Sequence, residues 1–324
     1  MPQATGRDLH VDAMLTELAI NYRPQGMIAD QIAPIISVAK ETNLYPVFNR
    51  GEAFAIEDTM RARGTEAKRV TRSVGSASYA VKNYALAYDL TIEDRANMDA
   101  AYQFELEAGA TRYLQDKLML DWDRRVLSQV GTTANVSTGF TVNSAWSGAG
   151  DPVAHLWAAQ EQMMTQTGLK PNSIVFGWRA WNYFRRNVNV RNLIKGVNNG
   201  GGFVSRDNAR EILELERLLV AGGFYNLQNE AQTASLSLNP LADSVLLYYA
   251  PLSPSRETPS FMYSFRWTAA ELGTPMAVIR HAFDTRKRIE GIELQYYQDE
   301  KITGSDYGAL IRNVSVSTGT GLSA

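Results

Sequence analysis

The chain has 324 residues, with 32 Lys and Arg against 34 Asp and Glu, a formal net charge of −2, and no cysteine. That excludes disulfides, zinc–thiolate centres, iron–sulfur clusters and cysteine nucleophiles, and it argues against a surface wholly devoted to nucleic acid. Hydrophobic residues are 45% and charged residues 20%, ordinary for a chain that buries a core. The first residues, MPQATGRDLH, lack an apolar signal-like run, and no stretch approaches the ~18 apolar residues of a membrane span. A soluble, intracellularly made protein is expected.

Residues 8–20 predict a short helix with Val11, Met14, Leu15 and Leu18 on one side. Residues 21–50 follow, rich in Ile and Val but broken by Pro24, Pro34 and Pro46. They lack a helical or strand period, so something else must cover their apolar side chains. The expectation is an arm laid across the body or across a neighbouring molecule. Residues 47–57 and 78–91 read as strands. Between them, 58–76 carries Arg61, Arg63, Lys68, Arg69 and Arg72 around Gly64, a long two-stranded excursion with a basic tip. A lone hairpin is marginal in water, so this one needs support.

Residues 92–130 predict one long helix. Thr91 and Asp94 make its capping box, acidic residues crowd its first turn, and Gly131 ends it. Phe104, Ala108, Leu114, Leu118, Trp122 and Val126 form its apolar stripe. Unbroken, it would reach nearly ~60 Å, unless it kinks near Gly109. After a Gly/Ser-rich linker with a short strand near 140–142, Asp151 and Pro152 open a second helix that Gly168 closes. Helices and strands then alternate to about residue 223, which indicates an α/β unit. A third helix, WRAWNYFRRN, precedes the Gly/Asn loop KGVNNGGGFVS, and the fourth helix spans RDNAREILELE. From 243 onward strands dominate, with two long ones around the basic turn DTRKR.

No catalytic constellation emerges. The phosphate-loop pattern is absent, and the glycines at 200–202 do not sit tight between a strand and a helix. His10, His155 and His281 are far apart and share no ligand spacing. There is no G-x-S-x-G, and Glu211, Glu214 and Glu216 read as solvated helix charges. Arg185, Arg186 and Arg191 form a second basic cluster, read as a solvated or interface face. The cluster at 61–72 is better suited to protein–protein salt bridges than to nucleic acid, because it lacks interleaved aromatics. An arm and a hairpin that both need a partner point to identical subunits in head-to-tail contact, which close into rings or shells.

The order of these parts resembles the major capsid proteins of tailed bacteriophages with the HK97 fold. The resemblance is carried by YRPQGMIADQIAPIISVAKETNLYPVF, LKPNSIVFGWRAWNYFRRNVNVRNLIKG, ILELERLLVAGGFYN and GALIRNVSV, and it covers nearly the whole chain. It implies an α+β fold with an N-terminal arm (1–45) and an extended loop (46–90). A peripheral domain (91–150 and 263–300) would hold a spine helix at 92–130, and an axial domain would take 151–262 and 301–324. It implies a shell of hexamers and pentamers around double-stranded DNA, located in the virion and assembled in the host cytoplasm. Portal and scaffolding or cementing proteins would be further partners, with no membrane, cofactor or enzymatic activity. Arg61, Arg63, Lys68, Arg69 and Arg72 would make intersubunit contacts, and Asn198, Asn199, Gly200, Gly201 and Gly202 would form a loop near a symmetry axis. The family's lysine–asparagine crosslink is not carried over, since Lys68 and Lys82 have no matching asparagine or activating acid. Two other readings stand beside this one: an encapsulin-type nanocompartment shell, and a soluble oligomeric α/β enzyme of unknown reaction.

Overall fold

The computed structural model describes residues 10–315 except 23–25, 49–51, 53, 72, 98–102, 143, 149, 196–203, 227, 229–234, 256–257 and 269–274. The N-terminal segment forms β1 (His10–Val11), α1 (Ala13–Asn21), α2 (Ala29–Ile32) and β2 (Ile35–Val38). β3 (Thr42–Phe48) leads out and β4 (Val74–Ala80) returns, continued by β5 (Lys82–Thr91). Then come α3 (Ile92–Ala96), α4 (Gln103–Val130) and β6 (Thr138–Thr141). The α/β run comprises α5 (Pro152–Thr167), β7 (Ser173–Gly177), α6 (Trp178–Arg186), α7 (Val188–Lys195), α8 (Arg206–Ile212) and β8 (Arg217–Ala221). It is followed by β9 (Phe224–Asn226), β10 (Leu236–Leu238), β11 (Val245–Tyr248), β12 (Met262–Trp267), β13 (Ala277–Arg280), β14 (Ile289–Ile302) and β15 (Gly308–Arg312).

Two sheets organise the molecule. The first runs β1-β13-β14-β12-β2, with β5 also paired to β14. The second runs β6-β15-β11-β7-β8. β7 is buried along its whole length, as a continuous apolar run in a covered sheet should be. β6 therefore belongs to the second sheet, through parallel pairing with β15, although its sequence position groups it with the long helix. α4 lies on the first sheet, and its Leu114, Leu118, Trp122 and Val126 enter a core shared with Val175, Leu246 and Leu310 of the second. Ala108 is buried as the stripe requires, while the side chain of Phe104 is outside the described residues.

α5 begins and ends where the sequence places it. Asp151 Oδ1 accepts from the Val153 N–H at 3.0 Å, and Gly168 closes the helix in the left-handed region at φ 70°, where glycine avoids the Cβ clash. Gly177 has a different need: a Cβ there would lie 1.9 Å from the Leu241 carbonyl oxygen.

Several expectations fail. The first helix starts at Ala13, and Met14 faces solvent while Leu15, Thr16 and Ala19 are buried. Outward strand β3 stops at Phe48, so 54–57 is not strand. The inward strand breaks at Val81, whose N–H bonds to the Glu41 carbonyl at 3.0 Å and changes partners from β3 to β14. The helix predicted over 92–130 is two helices. Arg95 in α3 and Glu107 in α4 form an ion pair at 2.6 Å, whereas twelve residues of one straight helix would separate them by ~18 Å along its axis. α4 itself runs unbroken through Gly109, about 42 Å for its 28 residues. The fourth helix ends at Ile212, because Glu214 takes a positive φ of 52° and turns the chain into β8. α7 fills a stretch to which the sequence assigned no element.

Of the two courses expected for residues 21–48, the described ones take the first, across the body of their own chain. Ile28, Ala29, Ile32, Ala33, Ile36 and Val38 are all buried within this one chain. β2 adds in parallel to β12, and α1 and α2 lie along α4. The carboxylate of Asp123 on α4 accepts the Ile28 and Ala29 N–H groups at 2.9 Å each, capping the short α2. Gln115 Nε2 donates to the Ala19 and Tyr22 carbonyls at 2.6 Å, satisfying the end of α1. The segment has no local period because its partners come from three distant elements.

Candidate assembly surfaces

The extended excursion has a rigid base and a bare tip. Its base is β3 paired to β4 over seven residues and β5 paired to β14 over ten, from Thr91↔Ile289 to Lys82↔Gln298. Tyr79 stacks on Phe265 of β12 at 4.7 Å between ring centroids, and Tyr45 packs on the same ring. Arg125 of α4 lies 3.7 Å over the ring of Tyr84 in β5, bonds Glu300 at 2.9 Å and pairs with Asp121. That clamps α4, β5 and β14 together. Burial disfavours a charged Arg125, but the Glu300 and Tyr296 contacts outweigh it and hold the guanidinium charged. Neighbouring Arg266 is pulled down to about 10 by burial, despite Tyr296 and Glu300; it bonds Gln298 Oε1 at 2.9 Å.

Where the excursion meets the body, charges cluster. Arg280 bonds Glu107 at 2.5 Å and Asp12 at 2.7 Å, and Arg95 bonds Glu107 and Glu290 at 2.6 Å each. Asp12 also caps α1 through the Leu15 N–H at 2.9 Å. Burial pushes its carboxyl up, yet the Leu15 N–H and Arg280 bring it below the ordinary carboxylate range. One network thus joins the N-terminal segment, α3, α4, β13 and β14.

The tip is the opposite. Residues 55–62 and 66–71 have neither helix nor strand. Ile56 is 100% exposed and Met60 90%, so apolar surface sits in water without cover. Arg61, Arg63, Lys68 and Arg69 lie together here, and all are exposed. Lys68 pairs with Glu57, and Arg69 lies 3.9 Å from Glu66, so half of this basic cluster is compensated locally. Arg61 Nε donates to the Thr65 carbonyl at 2.5 Å and closes the turn around Gly64. Arg72 and the loop Asn198, Asn199, Gly200, Gly201 and Gly202 lie outside the described residues.

The remaining candidates do not come together. Glu214 pairs with Lys170 at the surface, His281 with Glu293 at 2.6 Å, and Trp146 Nε1 donates to His155 Nδ1 at 3.0 Å. Among the described residues, no group of three His, Cys, Asp or Glu is placed to hold a metal ion, and no helix is long and apolar enough to cross a membrane. The ion network at Glu107 was missed from sequence. Its only trace is Asp12 and Glu107, lone charges flanked by apolar residues, a signal shared with many surface positions.

No family model matches the chain. It is 26% identical to the major capsid protein of Burkholderia phage BcepMu over 316 residues, covering 94% of this chain and 97% of that protein. It is 24% identical to the major capsid protein of Pseudomonas phage JBD67 over 262 residues, covering 79% and 83%. Among solved structures, a phage-related protein from Bordetella bronchiseptica superposes with a TM-score of 0.73 at 20% identity, over 97% of this chain and 99% of that one. The mature capsid of bacteriophage PhiM1 gives 0.56 at 11% identity, over 96% and 91%. An encapsulin from Synechococcus elongatus gives 0.51 at 13% identity, over 93% and 94%. The fold is the HK97-like α+β capsid fold.

Proposed function

We infer that this chain, which has the HK97-like fold and matches phage major capsid proteins along most of its length, is itself a major capsid protein that builds an icosahedral shell. The observation that carries the inference is the joint match of sequence and fold to capsid proteins, end to end. The geometry agrees with it: a rigidly anchored base holds out a tip whose Ile56 and Met60 find no cover on their own chain. A neighbouring subunit supplies that cover. Arg61, Arg63, Lys68 and Arg69 are the proposed intersubunit contacts, and Arg72 and Asn198–Gly202 join the proposal from sequence alone. In this scheme the first sheet with α4 is the peripheral domain, the second sheet with α5–α8 is the axial domain, and β6 belongs to the axial one.

Subunits would form hexamers and pentamers around the symmetry axes and enclose double-stranded DNA, in a virion assembled in the host cytoplasm. Portal, scaffolding or cementing proteins would complete the particle. The role is mechanical, not enzymatic. One alternative has an observation behind it: the encapsulin likeness fits a nanocompartment shell of the same fold.

Negative-stain electron microscopy beside size-exclusion chromatography tests this. Shells, capsomers or curved sheets are the expected result. A discrete dimer or tetramer that never assembles in any salt or crowding condition would overturn it. Shells produced in the phage-infected host that carry enzyme cargo and no genome would favour the nanocompartment.

A further inference from the structure

One long stretch of this chain is basic and free of acidic residues. Residues 171–206 contain no Asp or Glu and six basic residues: Arg179, Arg185, Arg186, Arg191, Lys195 and Arg206. The whole chain is −2, so with +6 in this stretch the remainder carries −8. Four of the six lie on two adjacent helices. α6 packs on the second sheet through Ala180, Trp181 and Phe184, and α7 packs on α5 and α6 with Val190 in the same core. Their other faces look outward, with Arg179 and Arg186 exposed and Arg185 and Arg191 half-buried. Arg179 and Arg186 are seven residues apart on α6 and share one face.

These cations are uncompensated. Among the described residues, none of Arg179, Arg185, Arg186 and Arg191 forms an ion pair or a side-chain hydrogen bond, unlike Lys68 and Arg69 at the tip of the excursion. Arg185 and Arg186 do complement the C-terminal end of α6, but Arg179 and Arg191 have no such use. Asn189 and Asn192 are exposed beside Arg191 and add amide donors.

We propose that the outer face of α6 and α7 binds the phosphate backbone of duplex DNA, without sequence preference. The alternative occupant, an acidic face of a second copy, is poorly matched by this chain. Its acid-rich stretch without Lys or Arg, 289–300, commits Glu290, Glu293, Asp299 and Glu300 to its own Arg95, His281, Lys301 and Arg125. A regular polyanion from outside the chain fits several unpaired guanidinium groups better, and released counterions drive such binding. The proposal rests on the capsid assignment only for the source of the polyanion; the binding itself is testable on free protein.

The test uses full-length protein before assembly and short fluorescent duplexes of two unrelated sequences, titrated across a KCl series. Three proteins are compared: the parent, Arg185→Gln/Arg186→Gln/Arg191→Gln, and Arg61→Gln/Arg63→Gln/Arg69→Gln. Losing three phosphate contacts should lower the slope of log K against log salt by about 2.7 and weaken low-salt binding more than about tenfold, equally for both sequences. The tip variant should keep the parent slope. Arg179→Gln/Arg186→Gln, confined to exposed positions, should lower the slope by about 1.8 and guards against a folding defect in the triple variant. Parent-like slopes in both α6–α7 variants would overturn the proposal. So would loss of assembly in those variants with DNA binding intact, which would make this face a subunit interface. Failure of the parent to assemble, with salt-dependent DNA binding still lost in the variants, would count against the capsid assignment and leave the DNA site standing.

Discussion

Residues 26–48 and residues 54–71 pose the same question in sequence. Each carries large apolar side chains that it cannot bury locally, the second among many charges. The structure separates them. Ile32, with no exposed surface, sits under α4, while Ile56 is fully exposed. The first segment is covered because α4 offers it a polar anchor, Asp123, and β12 offers it an edge. The second bonds within its own loop, as Arg61 does to Thr65 and Lys68 to Glu57, although Phe54 meets the body at Gly168. Aperiodic apolar sequence therefore says that burial is needed, but not by whom.

The same substitution placed in both segments should break the symmetry most sharply. Ile32→Asp puts an unpaired carboxylate in the core, a cost of several kcal/mol, and no soluble folded protein is expected by circular dichroism. Ile56→Asp should leave thermal unfolding within about 0.5 kcal/mol of the parent and instead prevent shells from forming. Equal loss of folding in both would mean that the tip is covered within its own chain.

A smaller effect is expected at the Glu107 network, which ties Asp12 and α3 to the body. Glu107→Ala leaves Arg95 and Arg280 facing each other with their shared carboxylate gone. Breaking a largely buried pair of this kind should cost about 3 kcal/mol in denaturant unfolding. A change under about 0.5 kcal/mol would reduce the network to ordinary surface charge.

Asp123 sharpens the comparison through pH. Burial raises its carboxyl from 3.8 to about 6, partly offset by the Ile28 and Ala29 N–H bonds. Because the folded value lies above the unfolded one, its contribution is fully present below about pH 4 and is lost as pH rises through about 6. Asp123→Asn keeps an acceptor for α2 and removes the titration. The parent should gain stability relative to this variant, by roughly 1–3 kcal/mol, as pH falls from 7.5 to 4.5. Parallel curves of melting temperature against pH would show that Asp123 does not carry the linkage.

The smallest effect on folding is expected at the basic tip. Reversing Arg61, Arg63 and Arg69 together should shift unfolding by less than about 0.5 kcal/mol, while light scattering shows weakened assembly. Equal losses in folding and assembly would count against an intersubunit role.

Much of the second sheet's neighbourhood was legible in advance. Asp151, Pro152 and Gly168 bound α5 as written, because caps act through neighbours along the chain. β7 was legible because a short apolar run after a Pro-Asn turn has few other solutions. The break between α3 and α4 was not, because Thr91, Asp94 and a good apolar stripe satisfy every local rule for one helix. The pull of Glu107 on Arg95 is a tertiary force. The candidate surfaces divide the same way. Their residue types were readable, and Arg61, Arg63, Lys68 and Arg69 are exposed. Which basic cluster is neutralised was not readable, since Glu57 and Lys68 meet only through the fold of the loop.

By itself, then, the sequence determined the helix–strand alternation over 151–223, the helix ends fixed by capping and glycine, the absence of cysteine chemistry, and the presence of a basic, acid-free stretch at 171–206. All of these depend on residue identity or on contacts a few positions apart. Only the tertiary structure decided that the N-terminal segment is core, that the strand changes partners at Val81, that β6 joins the second sheet, and which arginines remain unpaired. Each of these depends on pairings between distant residues, such as Ile28 with Asp123 or Thr138 with Ala309. Burial energy selects such pairs only once the whole chain has collapsed around them.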